Sequence, residues 1–135
     1  MKKKTVTQLK KKLWGIVAKR IKERDNNICF TSGKYVEGAN AHCGHMFPSG
    51  SCGAVLRYHP KNLHCQSYYE NINLGGNGVV YGINFVKKYG QKEMNKLLKL
   101  KNSSIKADNQ FYEKLIEMYE TYPLEDIEDY LNQLV

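Results

Sequence analysis

Residues 42–81, HCGHMFPSGSCGAVLRYHPKNLHCQSYYENINLGGNGVVY, decide how the whole chain is interpreted. The segment begins with two histidines, His42 and His45, and a loop rich in Pro, Gly and Ser follows at once. From the residues alone, such a pair is open to three interpretations: a surface histidine pair, a fragment of a zinc site, or a nuclease centre. The rest of the chain has to distinguish them.

The size and composition of the chain restrict its class. At 135 residues it has room for one domain with one moderate core, so residues 1–135 are taken as a single domain. No apolar run approaches the roughly 20 residues of a membrane span, and the basic N-terminus lacks the apolar stretch of a signal peptide. We therefore expect a cytoplasmic protein with no membrane partner and with no disulfides.

Charge is distributed unevenly along the chain, whose formal net charge is +8. Residues 1–24 hold ten Lys or Arg and one acid, whereas residues 111–135 hold seven acids and one base. A basic N-terminal segment of this kind indicates a polyanionic partner, although a solubilising surface would give the same count. The lysines predicted to contact DNA phosphates are Lys10, Lys11, Lys12, Lys19 and Lys22.

Hydrophobic spacing predicts helices on both sides of an irregular centre, and therefore the α+β class. Residues 1–27 are predicted to form a basic amphipathic helix. Residues 28–82 contain two or three short predicted strands and a helix near residues 65–72. Residues 83–135 are predicted to be helical, with an acidic tail. The further helices expected here cover about residues 79–100 with a break near Gly90, then 108–122, then the segment opened by Pro123.

The order of polar residues in the centre fits a ββα-metal site, in which two short strands and a helix surround one divalent ion. His45 is the candidate general base, because imidazole titrates near neutral pH. Asn62 is the candidate orienting residue, and Asn71 is a candidate ligand. Mg²⁺ needs only one or two protein ligands, since water and phosphate oxygens complete its shell. Such a sparse pattern also occurs by chance in many chains.

The same segment resembles the core of the phage NinG/Rap recombination proteins, HNH-type endonucleases that act on branched DNA such as Holliday junctions. That core reads approximately H-x-G-H, a loop, L-R-[FW]-x-x-x-N-x-H, a cysteine knuckle ending in Asn, and G-N-x-x-x-Y. The matching residues of this chain are His42, Gly44 and His45, then Leu56, Arg57, Tyr58, Asn62 and His64, then Asn71, Gly76, Asn77 and Tyr81.

The resemblance implies a small HNH-like ββα-metal centre flanked by N- and C-terminal helices, in a phage-encoded protein of the host-cell cytoplasm. It implies a metal-dependent, structure-selective endonuclease for branched or distorted duplex DNA, with one Mg²⁺ or Mn²⁺ ion per active site. Because a four-way junction has two strands to cut, a homodimer joined through the helical flanks is expected.

The resemblance also assigns roles to individual residues. The catalytic set is expected to be His45, Asn62 and His64. From its chemistry, Arg57 is expected to bind a DNA phosphate through its bidentate guanidinium or to pair with an acid, and His59 to contact a phosphate or stabilise transition-state charge. In related centres the metal ligand directly precedes the base, but Gly44 occupies that position here and has no side chain. The metal ligands are therefore expected to be His42 and Asn71.

This chain departs from the family at its cysteines. The family carries two CxxC pairs that bind a structural zinc ion, but here the first pair is CFTS at residues 29–32 and the second falls on Ser67 and Glu70. We expect buried or free thiols rather than structural zinc, with a replacement zinc site left open. The four cysteines are Cys29, Cys43, Cys52 and Cys65.

Two further functions stay open. A non-catalytic DNA- or protein-binding module on a degenerate HNH scaffold fits the charge asymmetry equally well, and the loss of the zinc ligands favours it. An RNA-directed nuclease is the third alternative. Substitution of His45 distinguishes the DNA endonuclease from the binding module, because only an enzyme has a cleavage activity to lose.

Overall fold

The computed structural model describes residues 3–135, where helices surround a two-stranded antiparallel sheet and confirm the α+β class. No helix in this part of the chain is both long and apolar enough to cross a membrane. The elements are α1 (Val6–Arg24), β1 (Ala41–His45), α2 (Ala54–Arg57), β2 (Leu63–Ser67), a π-helical turn (Tyr69–Asn73), α3 (Gly78–Tyr89), α4 (Gln91–Leu100), α5 (Asn109–Thr121) and α6 (Leu124–Gln133).

Helix α1 carries the sheet on its apolar face. Its N-terminus is capped by Thr5, whose hydroxyl accepts the Gln8 amide hydrogen, while the Gln8 side chain accepts the Thr5 amide hydrogen. The apolar face packs against α5 and both strands, as the predicted periodicity requires. The buried residues of that face are Leu9, Leu13, Val17 and Ile21.

An ion pair at the end of α1 fixes the position of β2. Arg24 Nε lies 2.8 Å from Asp25 Oδ1, and the Arg24 guanidinium also donates to the carbonyl oxygens of Pro60 and Leu63. Asp25 Oδ2 accepts the amide hydrogen of Cys65 at 2.8 Å. Charge-assisted hydrogen bonds of this kind are stronger than neutral ones, so the helix and the strand are joined firmly.

The helix predicted near residues 65–72 is wrong in its first part. Cys65 pairs with Cys43 in the sheet, so the chain stays extended up to Ser67, and the π-helical turn follows. Turns of this wide geometry are frequent at functional sites. The first predicted helix, residues 1–27, is found as Val6–Arg24, and residues 1–2 lie outside the described residues. The later predicted helices are confirmed, including the break at Gly90, whose φ of 94° ends α3.

Three histidines are buried to a large extent and kept neutral. His64 and His59 are 0% and 2% exposed, and His45 is half-buried. Burial lowers the pKa of both His45 and His59 to about 4, and it lowers the pKa of His64 well below its usual value. The folded chain therefore resists protonation that the unfolded chain accepts.

We predict that the protein loses stability as the pH falls from about 6.5 towards about 4. In this window the unfolded chain binds protons at histidines that the folded chain keeps neutral. The free energy of unfolding should therefore fall by roughly 1.4 kcal/mol per pH unit for each such histidine. Urea unfolding at a series of pH values measures the slope, and His59→Gln should make it shallower. A constant free energy between pH 6.5 and 4.5 would contradict this account.

Candidate active site

An open groove of roughly 690 Å³ lies between α1, β1 and the π-helical turn. Among the described residues, none that lines it is acidic, so it suits a negatively charged ligand. We name it the histidine groove. It brings together several of the residues predicted from the sequence, namely His42, His45, Arg57, Asn71, Lys10, Lys11 and Lys22.

His45 is held in the histidine groove by a carbonyl and an aromatic ring. Its Nε2 lies 3.0 Å from the Arg57 carbonyl oxygen, and its ring stacks on Trp14 with 5.1 Å between centroids and 11° between planes. Because a carbonyl oxygen only accepts, neutral His45 carries its proton on Nε2 and keeps a lone pair on Nδ1. With its pKa lowered to about 4 by burial, that lone pair is free at neutral pH. His45 therefore presents a proton acceptor of fixed orientation, but its pKa of about 4 departs from the near-neutral titration on which its prediction as a general base was based.

Asn62 joins the two segments on either side of this contact. Its side chain is buried, with Oδ1 accepting the Phe47 amide hydrogen at 2.8 Å and Nδ2 donating to the carbonyl oxygens of Phe47 and Leu56. Phe47 lies just after His45, and Leu56 just before Arg57. The geometry fits the predicted orienting role, in which Asn62 acts through the backbone that holds His45.

His42 and Asn71 meet at the other side of the groove. His42 Nδ1 lies 3.1 Å from Asn71 Nδ2, and the His42 ring packs edge-on against Tyr68 at 5.3 Å. Which end of an amide faces a neighbour is an assignment from the hydrogen-bond network, so this contact joins His42 Nδ1 to one end of the Asn71 amide. The turn that follows β2 thus brings Asn71 back to β1.

The donor set at this pair fits a hard divalent ion as a sparse site. The amide oxygen is a ligand that Mg²⁺ and Mn²⁺ accept, whereas an imidazole nitrogen is more typical of softer transition-metal ions, so the pair supplies one preferred ligand and one less preferred ligand. Within residues 3–135 there is no group of three or more His, Cys, Asp or Glu side chains that could hold a metal ion. An ion at His42 and Asn71 would therefore depend on water and phosphate oxygens for the rest of its shell.

His64 is placed in the core and not in the groove. Its Nδ1 lies 3.1 Å from Tyr81 Oη and its Nε2 lies 2.9 Å from Tyr89 Oη, while its ring stacks on Phe30 at 3.9 Å. Both ring nitrogens are occupied, and the side chain has no exposed surface. His64 therefore packs in the core, where it has no access to the histidine groove that its predicted catalytic role would require.

His59 is also placed away from the histidine groove. Its Nε2 lies 3.0 Å from Asn132 Oδ1 on α6, and its Nδ1 accepts the Lys61 amide hydrogen at 3.2 Å. With 2% of its surface exposed, it cannot reach a DNA phosphate in this conformation. Its structural role is to fix α6 against the turn before β2, which corrects the predicted phosphate contact.

Arg57 braces the rim of the groove. Its Nε and Nη2 donate to the Ser49 carbonyl oxygen, and Nη2 also donates to the Cys52 carbonyl oxygen at 3.0 Å. The positively charged guanidinium therefore lies at the edge of the groove, and its hydrogen bonds hold the loop after β1 in place. A bidentate grip on phosphate, as predicted, would have to replace one of these contacts.

The predicted lysines of α1 divide between two surfaces. Lys10, Lys11 and Lys22 line the histidine groove, although Lys22 Nζ also donates to the Ala41 carbonyl oxygen at 3.4 Å. A second groove, beside residues 119–123, is lined by Lys11 and by the other two predicted lysines, Lys12 and Lys19.

The four positions at which the resemblance implied zinc ligands, namely Cys29, Ser32, Ser67 and Glu70, hold one thiol among them. Cys29 Sγ accepts the Ser32 amide hydrogen at 3.4 Å, and Ser67 Oγ accepts the Glu70 amide hydrogen at 3.1 Å. Burial alone would raise the pKa of Cys29, but hydrogen bonds from Ser32, Thr31 and the Ser67 backbone outweigh it and lower the pKa. Four positions with one thiol do not fit a four-thiolate zinc site.

The sequence matches the family profile described as Bacteriophage Lambda NinG protein over residues 1–125. The chain belongs to the NinG family. Searches of curated proteins and of solved structures each returned no match. The resemblance of residues 42–81 is thus confirmed at the level of this phage recombination-associated family. The NinG match also reaches most of the acidic tail, which that resemblance left out.

Two groups that shape the site of this NinG-family chain were not among the predicted site residues. Trp14 stacks on His45 from α1, and the Gln66 side chain lies fully buried next to Gly44. The available signal for Gln66 was its polar side chain at a strand position with buried neighbours, because buried polar groups need hydrogen-bond partners. Nothing in the spacing of α1 relates Trp14 to a residue of β1.

We predict that this NinG-family chain folds without structural zinc, because hydrogen bonds hold the loops at residues 29–32 and 67–70. A chelator should leave the melting temperature unchanged, and metal analysis of the purified protein should find no stoichiometric zinc. Restoring three thiols with Ser32→Cys, Ser67→Cys and Glu70→Cys should create a zinc-dependent rise in melting temperature. Loss of the native fold in chelator would contradict the prediction.

Proposed function

We propose that the chain is a metal-dependent, structure-selective endonuclease that hydrolyses phosphodiester bonds in branched or distorted duplex DNA. One observation carries the proposal: His45, the His42–Asn71 pair and lysines of α1 all line a single groove. Phosphodiester hydrolysis needs a proton acceptor, a cation that offsets developing charge, and a surface that binds polyanions.

The proposed mechanism is direct attack of water on the phosphorus atom. His45 Nδ1 accepts the proton of that water, while the Arg57 carbonyl and the Trp14 ring keep the imidazole in place. One Mg²⁺ or Mn²⁺ ion held by His42 and Asn71 would supply Lewis-acid stabilisation of the phosphate and of the leaving oxygen. Asn62 maintains the backbone on both sides of His45.

The lysines of α1 bind the DNA backbone in this proposal. Lys10 and Lys11 are exposed on the rim of the histidine groove, where they can contact phosphates next to the scissile bond. Such contacts position the duplex without reading its sequence. This suits an enzyme that recognises the shape of DNA. A second copy of the chain, paired through the helical flanks, would supply the second active site that a four-way junction requires.

A non-catalytic DNA-binding module is the second candidate. The absence of any carboxylate among the described residues that line the histidine groove favours it, because carboxylates are the usual protein ligands of Mg²⁺. Such a module would bind junction DNA through the same lysines and leave it uncut.

We predict that His45→Ala lowers the rate of junction or flap cleavage by about 100-fold or more and leaves DNA affinity unchanged, because it removes the base and no phosphate contact. Single-turnover cleavage with Mg²⁺ or Mn²⁺, beside a binding assay, separates the two effects. His59→Gln is the matched control, since that histidine lies outside the groove. If the unsubstituted protein binds but cuts no junction, flap, duplex or shape-matched RNA, the enzymatic proposal fails.

We predict that Lys10→Ala with Lys11→Ala weakens binding of all DNA sequences alike. Each lost phosphate contact should make the slope of log K against log salt concentration shallower by about 0.9. The control is the pair Lys99→Ala and Lys101→Ala, exposed lysines that line neither groove of α1. Equal changes in both pairs would contradict the assignment of the histidine groove as the DNA surface.

A further inference from the structure

Gln66 contains an unpaired buried oxygen. Within residues 3–135, its Oε1 is the one buried side-chain nitrogen or oxygen atom without a hydrogen-bond partner. Gln66 Nε2 donates to Thr31 Oγ1 at 3.0 Å and to the Gly76 carbonyl oxygen at 2.9 Å. Because a carbonyl oxygen only accepts, the amide cannot be reversed, and Oε1 must face away from Gly76. Leaving a buried acceptor without a donor is costly, so a donor for Oε1 is expected nearby.

The unpaired oxygen is directed towards the proposed metal centre. A Cβ atom added to Gly44 would lie 1.8 Å from Gln66 Oε1 and 3.1 Å from Asn71 Oδ1. The two side-chain amides therefore meet over the Cα atom of Gly44, in the space that any larger residue would fill. The missing side chain of Gly44 is what allows Gln66 to approach Asn71.

A half-turn of the Asn71 amide supplies the missing donor. In the present assignment Asn71 Oδ1 faces the Gln66 side and Nδ2 faces His42 Nδ1. The oxygen and nitrogen of an amide have nearly the same shape, so a half-turn about χ2 exchanges them within the same space. Asn71 Nδ2 then faces Gln66 Oε1, and Asn71 Oδ1 faces His42 Nδ1.

We infer that Gln66 is a positioning residue, which holds the Asn71 amide oxygen towards the divalent cation. In the turned arrangement an oxygen and an imidazole lone pair face each other across the 3.1 Å now measured between His42 Nδ1 and Asn71 Nδ2. Adjacent ligands of an octahedral Mg²⁺ ion with bonds near 2.1 Å lie about 3 Å apart, so this separation suits one shared ion. The inference rests on the proposed function and explains how a neutral amide acts as a directed ligand.

Mn²⁺ affinity, measured on the full-length protein from the electron paramagnetic resonance of free Mn²⁺, tests the inference in a double-substitution cycle. Gln66→Met removes the acceptor at similar length and should weaken Mn²⁺ binding by about tenfold or more, the usual effect of losing an orienting partner. Asn71→Asp has an oxygen at both ends and needs no orientation. In that background Gln66→Met should therefore weaken binding by less than about threefold.

Two further variants separate orientation from general damage. Gly44→Ala adds a methyl group at the point occupied by Gln66 Oε1, so it should reproduce the loss of affinity without altering Gln66 itself. Thr31→Val removes a hydrogen bond at the other end of the Gln66 amide and should leave Mn²⁺ affinity unchanged. Thermal unfolding of each variant identifies any that fails to fold, and Gly44→Ala then replaces Gln66→Met in the cycle.

The outcomes are distinct. If the unsubstituted protein binds no Mn²⁺, the proposed metal centre fails and the inference fails with it. If it binds Mn²⁺ and Gln66→Met binds equally well, or loses the same factor with and without the Asn71→Asp substitution, the positioning role is overturned while the proposed function stands.

Discussion

The structure of the site depends on the buried Asn62 side chain. Its three hydrogen bonds join the loop after β1 to the segment of α2 that ends at Arg57, and both segments determine where His45 points. Without them, the Phe47 amide hydrogen would lose its partner, while the carbonyl oxygens of Phe47 and Leu56 would keep their contacts with Cys52 Sγ and the His59 amide. The backbone on both sides therefore fixes the position of the His45 imidazole. Asn62 acts through that backbone and not through a direct hydrogen bond to the imidazole.

A second constraint comes from the sheet and the turn behind it. In the sheet His42 pairs with Gln66 and Cys43 pairs with Cys65, so His42 lies beside Gln66 just before β2 ends at Ser67. The turn then brings Asn71 to His42, while Gly44 leaves room for the two amides to meet. The loops at residues 29–32 and 67–70 are held by hydrogen bonds to Cys29 Sγ and Ser67 Oγ.

Sequence reasoning succeeded where the signal was local. The spacing of Leu9, Leu13, Val17 and Ile21 predicts the apolar face of α1, and this periodicity needs no knowledge of the rest of the chain. It failed where long-range contacts decide. Residues 65–67 are strand because of Cys43, and His64 has the residue type and spacing of a catalytic group but is enclosed by Phe30, Tyr81 and Tyr89. Family membership is established over residues 1–125, whereas the chemistry is proposed from geometry.

The central claim is that His42 and Asn71 share one divalent cation beside the free nitrogen of His45. A crystal of the protein soaked with Mn²⁺ tests it most directly, because the anomalous scattering of manganese locates the ion without assumptions. The account predicts one strong peak bonded to His42 Nδ1 and Asn71 Oδ1, with Nδ2 of Asn71 turned towards Gln66. A fully occupied peak elsewhere, or none at a concentration that supports cleavage, would contradict it.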